Sequence, residues 1–193
     1  MNDAQKQMLL KTACDTVEAV INRRPSPQPE TDDPELKVHC GCFVTLKNAG
    51  RLRGCIGRFT SERPLIELVV EMAKASATGD PRFLADPITA DELRQLDIEI
   101  SVLSPLQKTD DPLSLHLGTD GIYIKAKGTS GCFLPQVATE TGWSKEEFLS
   151  YCCAHKAGLP ADAWKDSETQ VYLFTAEVFG SEFKGIQAGK IPL

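Results

Sequence analysis

The segment VHCGCFVTLKNAGRLRGCIGRF, running from Val38 to Phe59, reads as two strands that turn back on each other. Val38 to Lys47 is rich in β-formers, Asn48-Ala49-Gly50 supplies a turn, and Arg51 to Phe59 returns. On its N-terminal side, Leu9, Leu10, Ala13, Cys14, Val17, Val20 and Ile21 recur in steps of three and four within Gln5 to Arg23. That spacing predicts a helix with one apolar stripe, with Met8 and Ala19 off it. On its C-terminal side, residues 64–79 form an apolar helix stopped by Asp80-Pro81. Leu96, Ile98, Ile100 and Val102 alternate with Asp97, Glu99 and Ser101, the pattern of a half-buried strand. Strands arrive as hairpins, and helices do not alternate with them regularly. The expectation is therefore an α+β fold with a largely antiparallel sheet and flanking helices, not a doubly wound parallel one.

The remaining chain is organised more loosely. Four prolines and no apolar face make residues 25–35 a Pro-rich acidic surface loop. Thr89 and Glu92 stand in capping-box positions before a short helix. Pro105 to Pro112 reads as a loop. Leu115 to Gly118 and Ile122 to Lys127 read as short strands around Thr119-Asp120-Gly121. Cys132-Phe133-Leu134 is a short apolar segment, and Pro135 suits the first turn of a helix ending at Thr141. Ser144 and Glu147 open another helix, which Gly158 and Pro160 end after about Lys156. Gln170 to Phe179 reads as one final strand, with a peripheral tail from Gly180.

At 193 residues, 41% hydrophobic and 25% charged, the chain suits one domain, with or without a small lobe. A chain of this size buries roughly 70% of its unfolded surface, so its stability requires neither disulfides nor metal. The net charge of −6 argues against a surface that coats nucleic acid or acidic membrane. The longest apolar stretch, Pro64 to Ala77, carries Glu67, Glu71 and Lys74 and is too short to span a bilayer. Seven cysteines, an odd number, without a basic and apolar leader at Met1 predict free thiols in a reducing cytoplasm.

The chemistry concentrates in Arg51-Leu52-Arg53-Gly54-Cys55-Ile56-Gly57-Arg58. In an extended strand Arg51, Arg53 and Cys55 share one face. Two guanidiniums beside a thiol would favour the thiolate. Gly54 and Gly57 suggest a bulge or a close approach of the backbone to a ligand. Lys47 to Arg63 holds five basic residues and one acidic, a local +4 suited to a carboxylate or phosphate. The plain alternative is an edge strand whose arginines face solvent or pair with Asp80 and Glu99.

Within this segment, Leu52-Arg53-Gly54-Cys55-Ile56-Gly57 resembles the signature hexapeptide of the AMMECR-domain family, also called AmmeMemoRadiSam system protein A. Further matches follow in order: Phe43-Val44-Thr45-Leu46, Asp80-Pro81-Arg82-Phe83, Glu99-Ile100-Ser101-Val102-Leu103, Leu134-Pro135-Gln136-Val137-Ala138 and Lys156-Ala157-Gly158-Leu159. The resemblance covers roughly residues 8–182. It implies a single α+β unit with a smaller lobe and a cleft lined by the hexapeptide. It also implies association with a Memo-type protein and a radical-SAM protein. This chain lacks the Cys-x3-Cys-x2-Cys spacing of a radical-SAM cluster, so a radical step would belong to a partner.

As an enzyme acting on a small anion, the chain would use Cys55 as nucleophile or acid, with Asp80 or Glu99 handling protons. Arg51, Arg53, Gly54, Gly57 and Arg82 would line the ligand. Gln136 at a helix start and Lys156 in its matched run are further ligand candidates. As a scaffold, the same face would dock a partner, and Cys55 would be a packing residue. Nucleic-acid binding rests on the local +4 alone and lacks interleaved aromatics. His39-Cys40-Gly41-Cys42 with Cys55 has zinc-type ligands. Folding about Asn48-Ala49-Gly50, however, sets Phe43 opposite Cys55 and turns Cys40 and Cys42 away. Cys152-Cys153 before His155 reads as a helix end with Phe148, Leu149 and Cys152 buried. His39 and His116 read as structural or exposed. No metal and no cofactor are predicted, and nothing in the pattern specifies an oligomer.

Overall fold

The computed structural model describes residues 1–189. In chain order it has α1 (Asp3–Ile21), β1 (Cys42–Asn48), β2 (Arg51–Arg58), α2 (Leu65–Thr78) and β3 (Leu96–Leu103). Next come β4 (Gln107–Thr109), β5 (Gly121–Ala126), β6 (Thr129–Phe133), α3 (Pro135–Thr141) and α4 (Lys145–Cys152). The chain ends with β7 (Gln170–Phe174), β8 (Ala176–Glu182) and α5 (Phe183–Gln187). Two four-stranded sheets result, in the orders β2-β1-β3-β8 and β4-β7-β5-β6. The expected α+β class with antiparallel pairing is what the chain adopts. Among the described residues no helix is long and apolar enough to cross a membrane.

The described residues form two compact units: residues 1–102 with 177–189, and residues 103–176. In the first, Leu9, Leu10 and Val17 of α1 join Leu68, Val69 and Met72 of α2 in one core. Val44, Leu46, Ile98 and Ile100 supply the sheet side of that core. Gln5 of α1 donates through Nε2 to Asp33, which ties down the end of the Pro-rich loop. In the second unit, Ile122 and Ile124 of β5 pack with Phe148, Leu149 and Cys152 of α4. The Ser144–Glu147 capping box forms, and five residues of π-helix (Cys153–Ala157) end at left-handed Gly158.

Several expectations need correction. Val38 to Gly41 is not strand, and β1 starts at Cys42. Leu115 to Gly118 is not a strand; β5 pairs instead with β6 across Lys127-Gly128, both at positive φ. Within the supposed Pro105–Pro112 loop, Gln107–Thr109 pairs with β7, with Gln107 and Lys108 exposed. Gln170 to Phe179 is two strands in two different sheets. The tail from Gly180 is not peripheral: Phe183 and Ile186 are buried in the first core. Ala19 is buried, although it lies off the main stripe.

The β1–β2 register also differs. The turn is the two residues Ala49 and Gly50, at φ 48° and 78°, so Asn48 faces Arg51. Positive φ at both central residues matches the right-handed strand twist and favours Asn-Gly. Ala49→Asn should therefore stabilise by about 0.5–1 kcal/mol in a denaturant titration.

Candidate functional site

β1 is regular, so Cys42, Val44 and Leu46 face the core, while Phe43, Thr45 and Lys47 face outward. The partner strand is not regular. Leu46 faces Gly54 but Lys47 faces Leu52, which leaves Arg53 without a facing residue. This one-residue bulge corrects the expectation that Arg51, Arg53 and Cys55 share a face. By register, Arg51 pairs on the Leu46 side and Cys55 on the Thr45 side. Cys55 stands opposite Thr45, not Phe43. The shift is two residues, so Cys42 still points away from Cys55.

The bulge sends Arg53 into a network of its own. Its side chain is only 9% exposed. Nε and Nη2 donate to the two oxygens of Glu92 at 3.0 and 3.1 Å. Nη1 donates to Asp86 at 2.7 Å, and Nη2 to the Asp86 carbonyl at 3.1 Å. Asp80 is therefore not its partner. Burial by itself would raise the Glu92 carboxyl; hydrogen bonds from Arg53, Asn48 and the Thr89 backbone outweigh it and lower it.

Asp80 belongs to a second network. Its side chain is 1% exposed. Arg82 donates Nε to Oδ1 at 2.9 Å and Nη2 to Oδ2 at 2.5 Å. The backbone N–H groups of Cys55 and Arg82 add bonds of 2.9 and 3.1 Å. Arg82 first, then those two N–H groups, hold the carboxyl down to about 2 despite its burial. A carboxylate held there, with both oxygens occupied, is a poor general base at neutral pH. Arg82, whose side chain is 54% exposed, also donates to the Cys55 carbonyl at 3.2 Å.

Cys55 is half-buried, and its Sγ accepts from the Thr45 hydroxyl at 3.2 Å. Thr45 also faces Glu99 on β3, so thiol, hydroxyl and carboxylate form one row across three strands. Lys47 pairs with Glu99 at 3.3 Å. Both line an open groove of about 700 Å³ with Asp97, Ser181 and Glu182. Burial pushes the Cys14 thiol up to about 12 and the Cys132 thiol up to about 11.

The two signature glycines answer to packing. A Cβ on Gly54 would lie 2.0 Å from the Ser76 carbonyl oxygen, and one on Gly57 would lie 2.2 Å from the Phe43 ring. The close approaches are made by the protein's own helix and ring.

The first unit thus brings together Cys55, Asp80 and Arg82, and sets Glu99 on the same sheet. Arg51 is exposed beside the turn. Gln136 and Lys156 belong to the second unit. Gln136 lies in the first turn of α3, a helix of seven residues. Lys156 sits with Nζ 5.7 Å from the Phe133 ring centroid. His155 stacks on Tyr151, and His116 pairs with Asp120. Among the described residues all seven cysteines are free, and no group of three or more His, Cys, Asp or Glu could hold a metal. The residues missed were Thr45, Lys47, Ser76, Asp86 and Glu92. Ser76 carried a signal, as a polar residue in the apolar stripe of α2. Glu92 carried one too, already read as a cap. Asp86 carried none.

A profile of the AMMECR1 family matches residues 10–179. A protein of Methanothermobacter thermautotrophicus is 46% identical over 145 residues, covering 72% of this chain and 74% of its own length. Protein TK0174 of Thermococcus kodakarensis is 39% identical over 95% of this chain and 93% of its own. The crystal structure of uncharacterized protein PH0010 from Pyrococcus horikoshii superposes with a TM-score of 0.85. It is 39% identical and covers 94% of each chain.

Proposed function

From the premise that the chain belongs to the AMMECR1 family, we propose that it is a binding component of an AmmeMemoRadiSam-type system, docking a radical-SAM or Memo-type protein, and not the catalyst. One observation carries this reading: the charges of the signature region close on each other. Arg53 is occupied by Glu92 and Asp86, and Asp80 by Arg82 and the Cys55 amide. A guanidinium with four of its five donors engaged has little left for a substrate anion. What remains on the outward face is half-buried Cys55 of β2, with Lys47 of β1 and its ion-pair partner Glu99 of the neighbouring β3.

Binding assays between the purified chain and its radical-SAM and Memo-type partners test this. Cys55→Trp and Lys47→Glu should each weaken association at least tenfold, with under about 1 kcal/mol change in stability. Turnover by the isolated chain that Cys55→Ala abolishes would sink the proposal.

A second reading, a small anionic ligand, rests on half-exposed Arg82 beside Cys55 and on exposed Arg51. Calorimetric binding of inorganic phosphate that Arg51→Ala removes would favour it.

A further inference from the structure

We infer that the Ser76 hydroxyl is a wedge that holds the β1–β2 ladder open at Ile56 and so sets the backbone on which Cys55 is presented. Val44 and Ile56 face each other in this ladder. Their neighbours Thr45 and Cys55 form the alternating pair whose β2 N–H and C=O point outward, toward Asp80 and Arg82. The Ile56 N–H therefore points at Val44, where a plain hairpin would place a direct bond to the Val44 carbonyl. At this place the Ile56 N–H donates to Ser76 Oγ at 2.9 Å, and that hydroxyl donates to the Val44 carbonyl at 2.7 Å. A tetrahedral angle between these two bonds would set N and O roughly 4.5 Å apart, against about 2.9 Å for a direct bond.

The wedge reaches this position because α2 presses on Gly54, whose missing Cβ admits the Ser76 backbone. Ser76 is 1% exposed, so no solvent hydroxyl competes for its place. The ladder slips register at Leu46/Lys47, close to where it is opened. Cys55 is consequently held on one side through Ile56 and Ser76, and on the other by Asp80 and Arg82. Both sets of holding groups come from α2 and the segment that follows it. A displacement of the end of α2 is transmitted to the thiol-bearing strand through this hydroxyl.

Hydrogen-bond scalar couplings in the isotope-labelled full chain test the wedge. The wild type should show no coupling between the Ile56 amide nitrogen and the Val44 carbonyl carbon. Ser76→Ala should show it, and the alkylation rate of Cys55 by iodoacetamide, read by mass spectrometry on its peptide, should change at least threefold. A direct coupling in the wild type overturns the inference. So does a folded Ser76→Ala chain with no such coupling and a Cys55 rate within twofold of the wild type. If Ser76→Ala fails to fold, the wild-type coupling decides alone: its absence supports the wedge, and its presence overturns it.

Discussion

Asp80→Asn should lower the stability of the chain by about 3 kcal/mol, the upper end for setting buried donors against a group that no longer accepts them, Arg82 itself being half-exposed. For a protein of this size that is a fall in Tm of about 6–12 °C. The amide keeps the shape of the carboxylate but turns an NH2 toward a donor. Oδ1 accepts from Arg82 N and Nε, and Oδ2 from Cys55 N and Arg82 Nη2, so either orientation sets donor against donor. The same carboxylate gives the chain an acid limb. Its folded value is about 2, below the ordinary 3.8. The unfolded chain therefore takes up the proton first. The stabilisation is complete above about pH 4 and is lost as pH falls toward about 2. Glu92 and Glu177 are lowered too and act in the same direction. Urea titrations at stepped pH check both points: Asp80→Asn should flatten the acid limb. A variant as stable as the wild type at pH 7 would remove Asp80 from its structural role.

Gly54→Ala should cost about 3 kcal/mol, at the upper end of overpacking. The added Cβ would meet the Ser76 carbonyl oxygen at 2.0 Å and its carbon at 2.9 Å. Both are backbone atoms, so either β2 or the end of α2 must move. Gly50→Ala separates this effect from conformational freedom. Gly50 has φ 78° with nothing within 4 Å of a Cβ, so its substitution should cost only about 1 kcal/mol. Gly54 has no positive φ to lose. Equal costs at the two positions, measured by thermal unfolding, would contradict the contact argument.

Where one local period decides an element, the sequence is a good guide. β3 runs over Leu96–Leu103 as its alternation predicts, and α3 over Pro135–Thr141. The hairpin is legible as well, because its two β-rich runs flank a turn. Its register is not. A two-residue turn and a bulge at Arg53 together shift pairing by two residues, and neither is written in the period. The last strand fails for a related reason. Val171 packs in the second unit's core and Phe179 in the first unit's, so a near-continuous apolar pattern conceals a change of sheet at Thr175.

The site divides along the same line. The sequence by itself determined the α+β class and the family membership, since each is carried by residue types in local order. It singled out Cys55, Asp80, Arg53 and Arg82 as chemically unusual. Only the tertiary structure decided which charge meets which. Glu92 lies 39 residues from Arg53, Asp86 lies 33 from it, and Asp80 lies 25 from the Cys55 amide. Ion pairing depends on distance in space and on the exclusion of water, and chain order encodes neither. Arg53 and Arg82, which in sequence look like parts of an anion site, are, once folded, already holding the protein's own carboxylates.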